Sequence, residues 1–322
     1  MTIPATGTTP ATGTNLANDD LRLTFLPGRG GAITSLQRVS DGLELLWQAP
    51  WGVLPPGTVR PPATASTSAT ENWSGGWRTL FPNSGRNVTL YGADLGTDGE
   101  ACLAPYDVTP VDDGIGVTLS TRLTRMPIRL TRTVRLDGPR VRVSETVRNE
   151  SGQDVEVMWA QELCFGAPLL SPTTTLTTGA SVVRPDPDTT HSVGYDDVMP
   201  WPRTQGNSGV VNLRKSVAAD AALTRKAYLS DFSEPKATLR NPELDLAVEL
   251  TWDGEQMPFC WYELDAGGQD AFPHFLGSYY LALSPSTSWP RQGVHDARRI
   301  SSTSIWVTAG QERTTWIELS LL

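Results

Sequence analysis

The chain has 322 residues, a formal net charge of -9 and only 19% charged residues. That acidic balance leaves no broad basic surface to neutralise phosphates, so nucleic acid is excluded as the expected partner. No apolar run approaches the roughly 20 residues a bilayer crossing needs, and 29 Gly, 25 Pro and 11 Trp favour many short strands joined by turns.

Residues 1–16 are uncharged and rich in Thr, Ala, Gly and Pro, a composition that buries too little apolar surface to offset its ordering entropy. A flexible tail is expected there, ahead of one domain over 17–322. The same stretch lacks the positive and apolar regions of a secretory leader, so the expected location is cytoplasmic. From Leu21, LRLTFLPGRGGAITSL reads as a hairpin about Pro27-Gly28-Arg29-Gly30-Gly31, and a polar loop is expected over 61–70. Period-two alternation then recurs at Ile128, Leu130, Val134 and Leu136, and at Val141, Val143 and Val147. The intervening Leu136-Asp137-Gly138-Pro139 is a tight turn, which makes these two strands antiparallel neighbours. Alternation returns at 155–165 and 244–252, with polar loops expected at 171–178 and 184–190. Only 211–228 has helical bias, with Asn212 as a cap. No internal repeat divides the chain, and the predicted class is an all-β, largely antiparallel single domain.

Cys102, Cys164 and Cys260 are far apart and form no CxxC pair, so they read as reduced core residues. No GxxxxGK[ST], HExxH, EF-hand loop or GxSxG occurs, and Gly28-x-Gly30-Gly31 precedes no helix. Neither a cofactor nor a metal is expected, although Asp98, Glu100 and Glu162 would supply hard oxygen ligands of the kind Ca²⁺ prefers.

Four segments spread along the chain resemble the galactose mutarotase-like (aldose 1-epimerase) superfamily. They are the opening LTFLPGRGGAITSL; Gly75-Gly76-Trp77-Arg78-Thr79-Leu80-Phe81-Pro82-Asn83, similar to the Gly-Gly-Trp-x-x-Leu-Phe-Pro-Asn stretch of that family; Met158 to Pro168, similar to its Trp-Gly-His-His-Pro-x-Phe-Gly strand; and Leu281 to Thr287, similar to its Leu-Glu-Pro-x-Thr strand. The resemblance implies a large antiparallel β-supersandwich with a shallow sugar cleft, a small-molecule sugar as partner, and a monomer or homodimer. It also implies anomer interconversion by a Glu that takes the anomeric hydroxyl proton and a His that protonates the ring oxygen.

The departures fall on those chemical positions. Matched by motif, the early His becomes Asp98, the His of the central strand becomes Glu162 beside Gln161, and the base Glu becomes Ser284. A Ser hydroxyl without an adjacent base cannot replace a carboxylate as proton acceptor. Asp98, Glu162 and Glu263 are therefore the candidate proton-transfer residues. Asp98 and Glu162 have plainer alternatives: both accept hydrogen bonds from sugar hydroxyls without moving a proton, or Asp98 closes a Thr-Asp-Gly turn and Glu162 pairs with a buried Arg. The candidate binding residues are Arg78, Asn83 and Arg86 for orienting the ligand, the flat faces of Trp77, Trp159 and Trp261, and Glu100, Gln161 and Ser284. Arg78 and Arg86 suit vicinal hydroxyls, a carboxylate or a sulfonate, or else are solvated surface residues, and each Trp reads first as core. None of His191, His274 and His295 lies in the expected strands. Three functional readings stand: an isomerase of the aldose 1-epimerase type, a catalytically silent carbohydrate-binding protein of the same fold, and, behind these, a lyase or different isomerase acting on an unusual uronic or keto sugar.

Overall fold

The computed structural model describes residues 13–53 and 68–322. Alternating burial, of the kind seen in Ile128–Asp137 (in, out, in, out along its length), organises nearly all of them into strands. One sheet runs in the order Thr14–Ala17, Leu21–Leu26, Ala32–Arg38, Trp77–Leu80, Ala160–Phe165, Tyr279–Ser286, Phe259–Ala266, Leu223–Asn241, Leu246–Trp252, Glu312–Leu321, Arg140–Asn149, Ile128–Asp137, Ile115–Arg122 and Asp107–Pro110. Every neighbouring pair is antiparallel, as the turn chemistry of the sequence requires.

The sheet folds back on itself. Thr79, on the fourth strand of that order, hydrogen-bonds to Glu145 on the eleventh, and Arg132 Nη1, on the twelfth, donates to the Gly31 carbonyl at 3.0 Å. The side chains between the two halves form the main core, which runs from Phe25, Leu36 and Trp77 through Val134 and Val143 to Leu283 and Ile317. Since neighbours along a strand point to opposite faces, residues flanking the inward Trp77, Thr79, Gln161 and Leu163 point outward. The registers Arg78↔Glu162, Cys164↔Ala282, Ala282↔Glu263 and Glu263↔Lys226 carry one outer face across five strands.

The opening hairpin and the antiparallel pairing of the 128–136 and 141–147 segments agree with the sequence reading. Three local expectations are corrected. Residues 211–228 are not helical: Gly209–Asn212 and Leu223–Asn241 are strands, and cross-strand pairing to Phe259–Ala266 outweighs the weak amphipathic pattern. The expected loops at 171–178 and 184–190 are interrupted by the strand Thr175–Pro185, whose threonines sit on a partly exposed sheet. The strand Thr14–Ala17 pairs with Leu21–Leu26, so chain order begins before residue 17; residues 1–12 lie outside the described residues, as does 61–67 of the expected polar loop. No helix among the described residues is long and apolar enough to cross a membrane.

Candidate functional site

Two glycines set the start of the site. Gly75 and Gly76 have φ of +77 and +78, and a Cβ there would lie 2.3 Å from the Trp47 carbonyl and 2.2 Å from the Ile33 carbonyl. Only glycine meets both demands, and the strand that follows then places Arg78 opposite Glu162 on the outer face. Asp98 occupies the Thr97-Asp98-Gly99 turn at φ 60, a left-handed conformation that Asp tolerates. Its carboxylate accepts from the Gly85 N–H at 2.9 Å while its own N–H donates to the Gly85 carbonyl at 3.0 Å. The turn reading of Asp98 is thus realised, and the same carboxylate also contacts Arg78 and Arg291. Arg291 arrives from the loop after Tyr279–Ser286, its N–H donating to the Tyr228 hydroxyl at 3.3 Å.

These four side chains close an ionic square. Arg78 reaches Glu162 at 2.5 Å and Asp98 at 2.9 Å; Arg291 reaches the same two carboxylates at 2.6 Å and 3.0 Å. Asp98 and Glu162 are almost fully buried, and the Arg291 side chain is 20% exposed. Burial by itself would push the Asp98 carboxyl up, but the Arg291 and Arg78 guanidiniums outweigh it and hold it below the usual range. A carboxylate held ionised between two guanidiniums is a poor proton donor, so the square is suited to positioning.

Beside it lies a second group. Glu263 accepts from the Tyr280 hydroxyl at 2.7 Å, pairs with Lys226 at 3.2 Å and lies 3.8 Å from Arg291. Burial opposes its ionisation, yet Lys226, Arg291 and the Tyr280 hydroxyl bring its pKa down to about 2. His274 packs edge-on to Trp73 at 5.5 Å and near Tyr280 at 6.1 Å. Burial lowers its pKa below 6.5, which favours the neutral imidazole. Together these residues line a cleft of about 350 Å³ whose walls include Trp73, Arg78, Asp98, Glu162, Glu263 and Arg291. Trp73 Nε1 in that wall is buried and has no hydrogen-bond partner among the described residues.

The structure gathers Arg78, Asp98, Glu162 and Glu263 at the cleft and puts Arg86 at its rim, paired with Asp188 at 2.6 Å. Other candidates lie elsewhere. Trp77, Trp159 and Gln161 face the core: the Trp77 indole donates to Gln161 at 2.8 Å, and the Trp159 indole donates to Glu145 at 2.8 Å. Asn83 is fully buried and ties three backbone segments together through Arg86, Gly96 and Val294. Glu100 accepts the N–H groups of Thr124 and Arg125, so it does not join Asp98 and Glu162 as a cation ligand. Trp261 donates to the Ser288 carbonyl and lies 5.6 Å beneath the Arg291 guanidinium. Ser284 is its cross-strand partner, 1% exposed and outside the cleft lining.

Arg291, Lys226, Tyr280 and His274 escaped the sequence reading. Lys226 was legible only if 223–229 is a strand, because its site position follows from pairing with Glu263. Arg291 and His274 sit in loops, where no periodicity announces a side chain's direction.

Solved structures similar to this chain include galactose mutarotase-like proteins. A galactose mutarotase related enzyme from Lactobacillus acidophilus is 14% identical with a TM-score of 0.71, covering 97% of each chain. A galactose mutarotase-like protein from Lactobacillus casei ATCC 334 is 18% identical with a TM-score of 0.66, covering 96% of this chain and 100% of that one. The Slr1438 protein of Synechocystis sp. PCC 6803 is 18% identical with a TM-score of 0.70 over 99% of both chains. The fold is therefore galactose mutarotase-like. The chain itself belongs to the family described as a domain of unknown function (DUF4432), which it matches over residues 12–321. No curated protein matches the sequence.

Proposed function

We propose that this chain takes a free or modified monosaccharide into the cleft and interconverts its anomers, as an isomerase of the aldose 1-epimerase type. The observation that carries the reading is that Glu263, held ionised, and the imidazole of His274 face one cleft beside the Trp73 and Tyr280 rings. Mutarotation needs one group to accept a proton and another to donate one. Glu263 takes the anomeric hydroxyl proton while His274, in the minor imidazolium form that burial disfavours, gives its proton to the ring oxygen, and the bond from the anomeric carbon to that oxygen breaks. Rotation about the bond to the next carbon and reversal of both transfers yield the other anomer. Aromatic faces suit the apolar side of a pyranose.

The silent binding reading keeps one specific support: Asp98, Glu162 and Glu263, the three proton-transfer candidates, are each already paired with a cation. NMR anomer-exchange measurements over hexoses, pentoses and acidic sugars separate the two. Saturable acceleration for at least one sugar supports the isomerase. Binding without acceleration supports the silent protein, and neither binding nor acceleration removes both.

A further inference from the structure

One carboxylate of the outer face belongs to none of the interactions above. Asp265 is fully buried, and its Oδ1 is clamped by the Thr224 hydroxyl at 2.8 Å and the Gly268 N–H at 3.1 Å. Its Oδ2 is buried with no hydrogen-bond partner among the described residues, an arrangement that folding ordinarily avoids. That oxygen lies 3.9 Å from Nδ1 of His274, which meanwhile contacts the Ser278 hydroxyl at 2.7 Å. A ring shift of about 1 Å brings Nδ1 to the distance of a charge-assisted hydrogen bond.

We propose that Asp265 and His274 form a proton-handling dyad: Asp265 is the positioning residue that accepts the Nδ1 proton, so that Nε2 of His274 is left to exchange its proton in the cleft. An imidazolium needs acceptors for both ring protons; beside the Ser278 hydroxyl that Nδ1 now contacts, the orphaned Asp265 oxygen is the charged acceptor on that side of the ring. The groups acting on the ring are Asp265 and Glu263 from one strand, Glu162 from a second, Lys226 from a third and the Tyr280 ring from a fourth. Asp265, Glu263 and Glu162 favour the imidazolium, while Lys226 and burial oppose it. Burial also raises the Asp265 carboxyl, bringing its basicity toward that of the imidazole. The relation to catalysis rests on the isomerase reading; the dyad itself does not.

The chain has three histidines, which makes ring ¹⁵N NMR of the full-length protein tractable, with His274→Gln giving the assignment. In the wild type the neutral His274 ring is expected as the Nδ1–H tautomer. Asp265→Asn, which keeps an oxygen for Thr224 and Gly268, is expected to lower the His274 pKa by about one unit, and Ser278→Ala is expected not to lower it. Anomer exchange near neutral pH then falls about tenfold in Asp265→Asn, with its alkaline limb displaced to lower pH. An Nε2–H tautomer in the wild type, or a folded Asp265→Asn protein with an unmoved His274 titration, overturns the dyad. The tautomer measurement stands even if Asp265→Asn fails to fold. The expected NMR result in a protein that accelerates no sugar keeps the dyad and removes the isomerase reading alone.

Discussion

Arg291 Nη1 stands 2.6 Å from Glu162 Oε1, while Arg78 Nε holds the other oxygen of the same carboxylate at 2.5 Å. With Asp98 bridging the two guanidiniums, each charge in the square has two opposite partners. Breaking one buried pair leaves an uncompensated charge, which costs far more than the net worth of the pair. Arg291→Met is expected to destabilise the protein by about 3 kcal/mol or more in urea unfolding. Arg291→Lys recovers only part of this, because an ammonium cannot span both carboxylates as a planar fork does.

Asp98→Asn and Glu162→Gln test whether the square positions or reacts. Both are expected to lower stability and sugar affinity while changing the maximal exchange rate less than about tenfold, since removing a proton-transfer group ordinarily costs ~100-fold or more. Steady-state kinetics beside thermal unfolding separate the two effects.

Stability should fall on acidification in two windows. Glu263 has a depressed folded pKa, so its contribution is complete above about pH 4.5 and is lost as the pH falls toward 2. His274 is held neutral, so its contribution is complete above pH 6.5 and declines as the pH drops below that value. Urea midpoints across pH 2 to 7, expected to flatten at the lower window in Glu263→Gln and at the upper one in His274→Gln, check the signs.

The aromatic wall and the aromatic core predict opposite phenotypes. Trp73→Ala is expected to weaken sugar binding by about tenfold, the range of one aromatic contact, with titration calorimetry as the readout. Trp77→Phe removes the indole donor to Gln161 in the core, so it should lower stability and leave sugar affinity unchanged.

The sheet was legible because period-two burial and tight turns are local signals: 128–149 could be paired from sequence alone. The site was only half legible. Arg78, Asp98 and Glu162 could be found because a motif fixes their strand or turn, and alternation alone puts Glu162 on the face opposite Leu163. For Trp77 and Trp159 the core reading holds and the binding reading does not, and Gln161 faces the core with them, because a motif says which strand a residue is on whereas inward or outward direction depends on the fold of the whole sheet. Arg291 lies 129 residues from Glu162 along the chain, and the loop that delivers it is held by tertiary hydrogen bonds to Tyr228 and Thr303. No local pattern encodes such a contact.

The central claim is that Glu263 moves a proton for a sugar bound in this cleft. Anomer-exchange NMR on Glu263→Gln, with sugar binding measured on the same sample, tests it most directly. The account predicts that the wild type accelerates exchange and that the variant still binds but loses about 100-fold or more of the rate. Undiminished exchange in a folded, sugar-binding Glu263→Gln protein contradicts it.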